Sequence, residues 1–264
     1  MLPLSEFSIP ARRAVRGVLF DIDDTLTSRG RLTADAYAAV ERLQNAGLAV
    51  VPITGRPAGW CDHIARMWPV SAVVGENGAF YFRYDHATRS MRRRYVDEAA
   101  VRAAYRARLT RIGDEILAAV PGAAIAADQH YRETDLAIDY CEDVPPLQPA
   151  TAERIAAVMR ERGLTAKVSS IHVNGWFGTY DKLGMTKTLM REAFAVDLDA
   201  ARAEYVFVGD SPNDAPMFGY FPHAVGVANV HAFAGRMEHE PAYVTTAAAG
   251  AGFCEVVDAV LAVR

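Results

Sequence analysis

Val15-Arg16-Gly17-Val18-Leu19-Phe20-Asp21-Ile22-Asp23-Asp24-Thr25 decides how the chain is read. A short apolar run ends abruptly in acids, the pattern of a buried strand feeding an acidic loop. In extended backbone, residues two apart share a direction, so Asp21 and Asp23 lie side by side while Ile22 points the other way. Paired carboxylates repel each other unless something positive sits between or beside them. A hard divalent cation with oxygen ligands answers that need. A polar turn capping the following helix is the competing reading.

Working outward, residues 33–46 carry apolar side chains at helical spacing, and Gly47 stands at a C-cap position. Residues 48–53 read as a second buried strand ending in Thr54-Gly55-Arg56-Pro57. A helix follows at 59–67 and a third strand at 72–74, before Gly75-Glu76-Asn77-Gly78. This alternation predicts right-handed βαβ units and a parallel sheet. Between about 84 and 180 the pattern changes to a helix (97–120), strands (123–128, 135–140), a helix (151–162) and strands (165–169, 172–177). An α-β-β-α-β-β run is a small α+β unit, with Pro145, Pro146 and Pro149 breaking the chain before its second helix. Alternation resumes with a helix at 185–194, a strand at 205–208, a helical turn at 215–221, a strand at 224–228 and a closing helix at 253–262. The expected fold class is α/β, with one domain interrupted by an insertion.

Two more strand ends carry polar residues where an open parallel sheet places its site, outside the carboxyl ends of the strands. Gly209-Asp210-Ser211-Pro212-Asn213-Asp214 follows a buried strand, and Asp210 and Asp214 supply further oxygen ligands directly or through water. Alone it reads equally as a Ser-Pro-Asn turn; beside the first motif that reading loses its weight. Thr54-Gly55-Arg56 offers a hydroxyl and backbone N–H groups at a helix start, a ready phosphate site, although Thr54 also suits a plain N-cap. A phosphoryl group here needs an in-line nucleophile, a cation on its oxygens and a further positive group. A carboxylate serves as nucleophile, giving an acyl-phosphate. The positive group is Lys182 or Lys187, two of only three lysines in the chain.

The formal net charge is −4 over 264 residues, which argues against a polyanion-binding surface and hence against nucleic acid. Cys61, Cys141 and Cys254 lie far apart and make neither a disulfide framework nor a metal spacing, which suits a reducing cytoplasm. No signal-peptide pattern opens the sequence and no run approaches the roughly 18 apolar residues of a membrane span. A cytoplasmic protein is expected, as a monomer or homodimer.

Together these motifs resemble the haloacid-dehalogenase-like (HAD) hydrolase superfamily. Asp21-Ile22-Asp23-Asp24-Thr25 is similar to its first motif, Thr54 to its second, a lysine beside Asp181 to its third and Gly209–Asp214 to its fourth. Gly75-Glu76-Asn77-Gly78-Ala79 and the inserted unit resemble the IIB cap subclass. That subclass includes Cof-like sugar-phosphate phosphatases, sucrose-phosphate and mannosyl-phosphoglycerate phosphatases, and phosphomannomutase. Asn229 and the closing segment 252–263 also fit it. Asp24, where many relatives have Gly, departs from the commonest pattern.

The resemblance implies a Rossmann-like core of residues 1–83 and 180–264, with a cap at 84–179. It implies Mg2+ as cofactor, Asp21 as nucleophile and metal ligand, and Asp23 as general acid and then base. Asp23 also completes the metal site through its main-chain carbonyl, and Asp210 and Asp214 complete it from the fourth motif. Thr54 would hold phosphoryl oxygens, with Gly55, Arg56, Asn77 and Asn213 beside the substrate. Lys182, which follows Asp181 just before a helix, is preferred to Lys187. The expected function is a phosphatase acting on a small phosphorylated metabolite, a sugar phosphate above all. A phosphomutase or a non-catalytic phosphate- or metal-binding protein are the alternatives, and an intact Asp23 argues against the last.

Specificity is expected in the cap, which closes over the leaving group. Its 13 basic and 13 acidic residues balance. Arg92, Arg93 and Arg94 read as a solvated charged edge, or as a grip on a second substrate anion. His172 and Asn174 are half-buried strand residues or contacts to a sugar hydroxyl. Trp176 is expected to pack between the cap's helices and sheet.

Overall fold

A computed structural model describes residues 1–264. The chain opens with β1 (Leu2–Pro3), α1 (Ile9–Ala14), β2 (Gly17–Phe20), α2 (Ala34–Asn45), β3 (Ala49–Pro52) and α3 (Ala58–Met67). Next come β4 (Val73–Gly75), β5 (Phe80–Asp85) and β6 (Ser90–Tyr95). The inserted unit holds α4 (Ala99–Ala119), β7 (Ala124–Ile125), β8 (Asp135–Asp139), α5 (Pro149–Glu161), β9 (Thr165–Val168) and β10 (His172–Trp176). The chain closes with α6 (Lys182–Phe194), α7 (Leu198–Ala201), β11 (Tyr205–Gly209), α8 (Ala215–Tyr220), β12 (Val225–Gly226), β13 (Tyr243–Val244) and α9 (Ala249–Leu261).

Six strands form a parallel sheet in the order β1-β13-β12-β11-β2-β3. Its strands are apolar along their length because both faces are covered. Val18 and Phe20 of β2 join one core with α2, α3 and α9, while Leu19 between them joins a second core with α6 and α8. The same alternation puts Val206 and Val208 on the first side and Tyr205 and Phe207 on the second. Each such side chain, fully buried, contributes about 1.5–3 kcal/mol. β2 and β11 lie side by side with Phe20 opposite Val208, so the residues that follow them emerge together at one edge.

The third expected strand has a different partner. β4 touches the parallel sheet through a single bridge, Ile53 to Val74, and pairs antiparallel with β5, which pairs with β6. This hairpin left little trace in the sequence because its outer strand, Ser-Met-Arg-Arg-Arg-Tyr, is largely exposed and lacks apolar alternation. Arg92 and Arg94 pair with Glu192, and Arg93 with Asp62, so the arginine cluster is a paired surface edge.

In the inserted unit, α4 and α5 pack on one face of an antiparallel sheet ordered β7-β8-β10-β9. The strand expected at 123–128 shrinks to Ala124–Ile125, because the chain turns at Gln129–Tyr131. The Gln129 amide pins that turn, donating to Asp135 O and accepting from Ala137 N. Pro149 begins α5 instead of preceding it, a position where its missing N–H costs nothing. Trp176 corrects its expectation. Strand alternation turns it with His172 and Asn174 to the face opposite α4 and α5, where it stacks on Tyr180 and donates to Tyr180 O. No helix is long and apolar enough to cross a membrane.

Candidate active site

The carboxyl ends of β2, β11 and β3 bring Asp21, Asp210 and Thr54 to one place. Asp21, Asp210 and Asp214 are 4%, 1% and 0% exposed, and each offers an oxygen within 4.8 Å of the other two. Gly209 permits this clustering, since a Cβ there would meet the Asp214 carboxylate. Asp210 N donates to Asp214 Oδ2 at 3.1 Å. Thr25 Oγ1 and Asn229 Nδ2 donate to the two Asp210 oxygens at 3.2 and 3.1 Å.

Lys182 opens α6 with Asp181 as its N-cap, and its Nζ lies 2.7 Å from both Asp21 Oδ1 and Asp214 Oδ1. Lys187 lies one turn on and pairs with Asp199 at the surface. Gly78 helps fix the α6 start: its φ is +104° and a Cβ would collide with the backbone of Asp181. Burial works against the Lys182 ammonium, but Asp21 and Asp214 outweigh it and hold its pKa above the ordinary lysine value. Burial raises the Asp21 carboxyl, with Asp214 and Asp23 adding to the rise and Lys182 opposing it. Burial likewise raises the Asp210 carboxyl, reinforced by Asp214 and Asp21. One ammonium thus faces three buried carboxylates, an all-oxygen donor set that fits a hard divalent cation.

Thr54 is fully buried and its Oγ1 accepts from Arg56 N at 3.0 Å, which leaves the hydroxyl proton to donate elsewhere. Asn77 sits in a run of positive φ, Glu76 at 43° and Asn77 at 56°, and its buried Nδ2 has no partner. Asn213 accepts from Ser211 Oγ at 2.8 Å and lines the cavity with Asp21 and Asp23. Asp23 stands apart from the three-acid cluster. The Arg56 guanidinium grips it, with Nε 3.0 Å from both oxygens and Nη2 2.7 Å from Oδ1.

Arg56 also reaches the inserted unit, with Nη2 2.6 Å from Glu142 Oε1 and Nη1 3.5 Å from Asp128 Oδ2. Behind it, Arg132 pairs with Asp128 and Asp135 and donates to Gly55 O at 2.9 Å. Glu76 accepts from Ala58 N, Glu133 N and Thr134 N, tying the start of α3 to the insertion. The cavity at Asp21 measures about 10 Å3. A cavity of about 820 Å3 lies on the far side of Arg132 and is lined by none of the motif residues.

Sequence reasoning did not single out Arg132, Asp128 or Glu142, and took Glu76 only as part of the Gly75–Ala79 stretch. Glu142 carried a usable signal, since Cys141-Glu142-Asp143 follows a buried strand as Asp21 follows β2. The Arg56 pairings join residues distant in sequence and left none, whereas Arg132 pairs with Asp128 and Asp135 at spacings of four and three.

Residues 18–128 match the haloacid dehalogenase-like hydrolase family. A phosphoglycolate phosphatase of Haloarcula marismortui is 30% identical over 246 residues, covering 91% of this chain and 95% of that protein. Among solved structures, a Thermoplasma acidophilum protein superposes with TM-score 0.68 at 18% identity, over 95% of this chain and 99% of its own. The sucrose-phosphatase of Synechocystis, solved with sucrose and phosphate, gives 0.57 at 14% identity, over 93% and 98%. These last two likenesses are of fold.

Proposed function

The chain belongs to the haloacid dehalogenase-like hydrolases and is a phosphatase of that family, and from this premise we propose that it hydrolyses a small phosphorylated metabolite through an aspartyl-phosphate on Asp21. A sugar phosphate is the leading substrate class, and residues 84–179 act as a IIB-type cap over the site. The observation that carries the reading is Asp21 buried on Lys182 beside Asp210 and Asp214.

Asp21, Asp210 and Asp214 would hold Mg2+, with the Asp23 carbonyl beside them. When bound, the ion neutralises charge on the phosphoryl oxygens. Lys182 occupies Asp21 Oδ1 and leaves Oδ2 to attack phosphorus in line. As the O–P bond forms, the ester P–O bond breaks and Asp23 gives its proton to the departing oxygen. Water then attacks phosphorus, loses a proton to Asp23, and releases inorganic phosphate with Asp21 restored. Thr54 Oγ1 donates to a phosphoryl oxygen throughout. Asp23 must exchange its contact with Arg56 for the leaving oxygen before it acts.

Phosphate release from a panel of phosphorylated metabolites with Mg2+, for the native protein and Asp21→Asn, tests the reading. Mg2+-dependent turnover lost in the variant supports it. Conversion of a sugar 1-phosphate to its 6-phosphate isomer without release favours the phosphomutase alternative. Binding without turnover favours the non-catalytic one.

A further inference from the structure

A second cavity, of about 230 Å3, adjoins the one at Asp21, and the two share Asp23, Arg56 and Ile171 in their walls. Asp24, Thr27, Arg29 and Gly30 of the core and Cys141 and Glu142 of the insertion complete it. An ester whose phosphoryl group sits at Asp21, and whose departing oxygen meets Asp23, can extend its leaving group into this space.

The charges of that space are unevenly paired. Asp23, Asp24 and Glu142 contribute carboxylates, against Arg56 inside and Arg29 exposed at the rim. Arg56 is already committed to Asp23 and Glu142, with Trp60 stacked 4.4 Å from its guanidinium carbon. The next guanidinium, Arg132, is taken by Asp128, Asp135 and Gly55 O. Burial pushes the Glu142 carboxyl up, but the His172 imidazole and Arg56 pull it down to about 2, so it is ionised near neutrality. His172 Nε2 lies 2.8 Å from Glu142 Oε2 but outside hydrogen-bonding alignment, and it remains a buried atom without a partner. The inner wall therefore offers carboxylate acceptors with its one cation, Arg56, already committed, and the adjoining cavity at Asp21 adds Ser169, Ser170 and the His172 imidazole.

We propose that Glu142 is a specificity-determining residue: with Asp24 it admits uncharged, hydroxyl-bearing leaving groups and rejects those with a carboxylate close to the ester oxygen. The inference rests on Asp21 as the phosphoryl acceptor and deepens that reading. Hydroxyls can donate to Glu142 and, at the adjoining wall, accept from His172, whereas a carboxylate close to the ester oxygen meets the like charge of Glu142 and Asp24, with Arg29 only at the exposed rim. The Haloarcula relative is named for an ester of such a carboxylate, so the proposal separates this chain's preference from that protein's name.

Glycerol 3-phosphate and 3-phosphoglycerate have the same carbon chain and differ in a hydroxymethyl against a carboxylate, which makes them the test pair. The native protein is expected to favour glycerol 3-phosphate in kcat/KM by about tenfold or more. Glu142→Gln is expected to shrink that ratio by about tenfold, with kcat/KM for 3-phosphoglycerate rising in absolute terms. Asp24→Asn should move the ratio the same way by less. Native preference for 3-phosphoglycerate, or equal loss on both esters in Glu142→Gln, overturns the inference while leaving the phosphatase reading intact. Absence of Asp21-dependent turnover on every ester overturns that reading and the inference with it.

Discussion

Lys182 Nζ lies 2.7 Å from Asp21 Oδ1, although 161 residues separate them in the chain. The contact joins the end of β2 to the start of α6 and so spans the whole insertion. Its Nζ also holds Asp214, so this ammonium offsets charge on two of three buried acids. Removing one partner of such a buried pair costs about 3–5 kcal/mol, because the remaining charges lose their compensation. Lys182→Met is therefore expected to lower the melting temperature and to cut turnover about 100-fold or more. Lys187→Met, which removes only a surface pair with Asp199, should change both little. Thermal melts and phosphate release on the two variants check this; equal effects would contradict it.

Cation binding should appear as stability. A ligand bound only by the folded state adds about 2.7 kcal/mol at a hundredfold excess over Kd. Mg2+ is expected to raise the melting temperature of the native protein, and EDTA to reverse the rise. In Asp210→Asn, which removes one of the three convergent carboxylates, the Mg2+-induced rise should largely disappear. A rise of native size in that variant would place the cation elsewhere.

Gly78 and Gly235 separate steric from conformational cost. Both have positive φ, 104° and 71°, but a Cβ on Gly235 meets nothing within 4 Å while one on Gly78 runs into Asp181. Gly235→Ala should cost about 1–2 kcal/mol. Gly78→Ala should cost more than about 4 kcal/mol and displace Lys182, with activity lost in whatever protein folds. Denaturant melts compare the two directly, and equal midpoints would refute the packing role of Gly78.

The acid limb of stability should carry the mark of Glu142. Its carboxyl is held at about 2, against 4.5 when unperturbed, by His172 and Arg56 acting against burial. A depressed carboxyl contributes stability that is present above its unfolded pKa and lost as pH falls through its folded one. The native advantage over Glu142→Gln should therefore be full above pH 4.5 and fade toward pH 2. Melting temperatures of both proteins across that range test the sign; an advantage that grows on acidification would contradict it.

The core was legible because its signals are local. Val18, Leu19 and Phe20 announce a strand covered on both faces, and the acids that follow mark its carboxyl end, where a parallel sheet collects its polar residues. The hairpin of β5 and β6 was not legible, since Arg92, Arg93 and Arg94 lie on an exposed strand whose pairing depends on β4 and β5. Trp176 was misplaced because a lone large aromatic does not reveal which sheet face it takes, and only the register of β10 against β8 fixes that. The ties of Arg56 to Glu142 and Asp128 arise from how the insertion lies on the core, and no spacing in the chain encodes them, whereas the Arg132–Asp128 pair behind them is a local contact four residues apart.

The most direct measurement is mass spectrometry of the protein quenched in acid during turnover of a phosphate ester with Mg2+. The account predicts one phosphoryl group on the peptide containing Asp21, absent from Asp21→Asn, which also releases no phosphate. Turnover without that adduct, retained in Asp21→Asn, would contradict it.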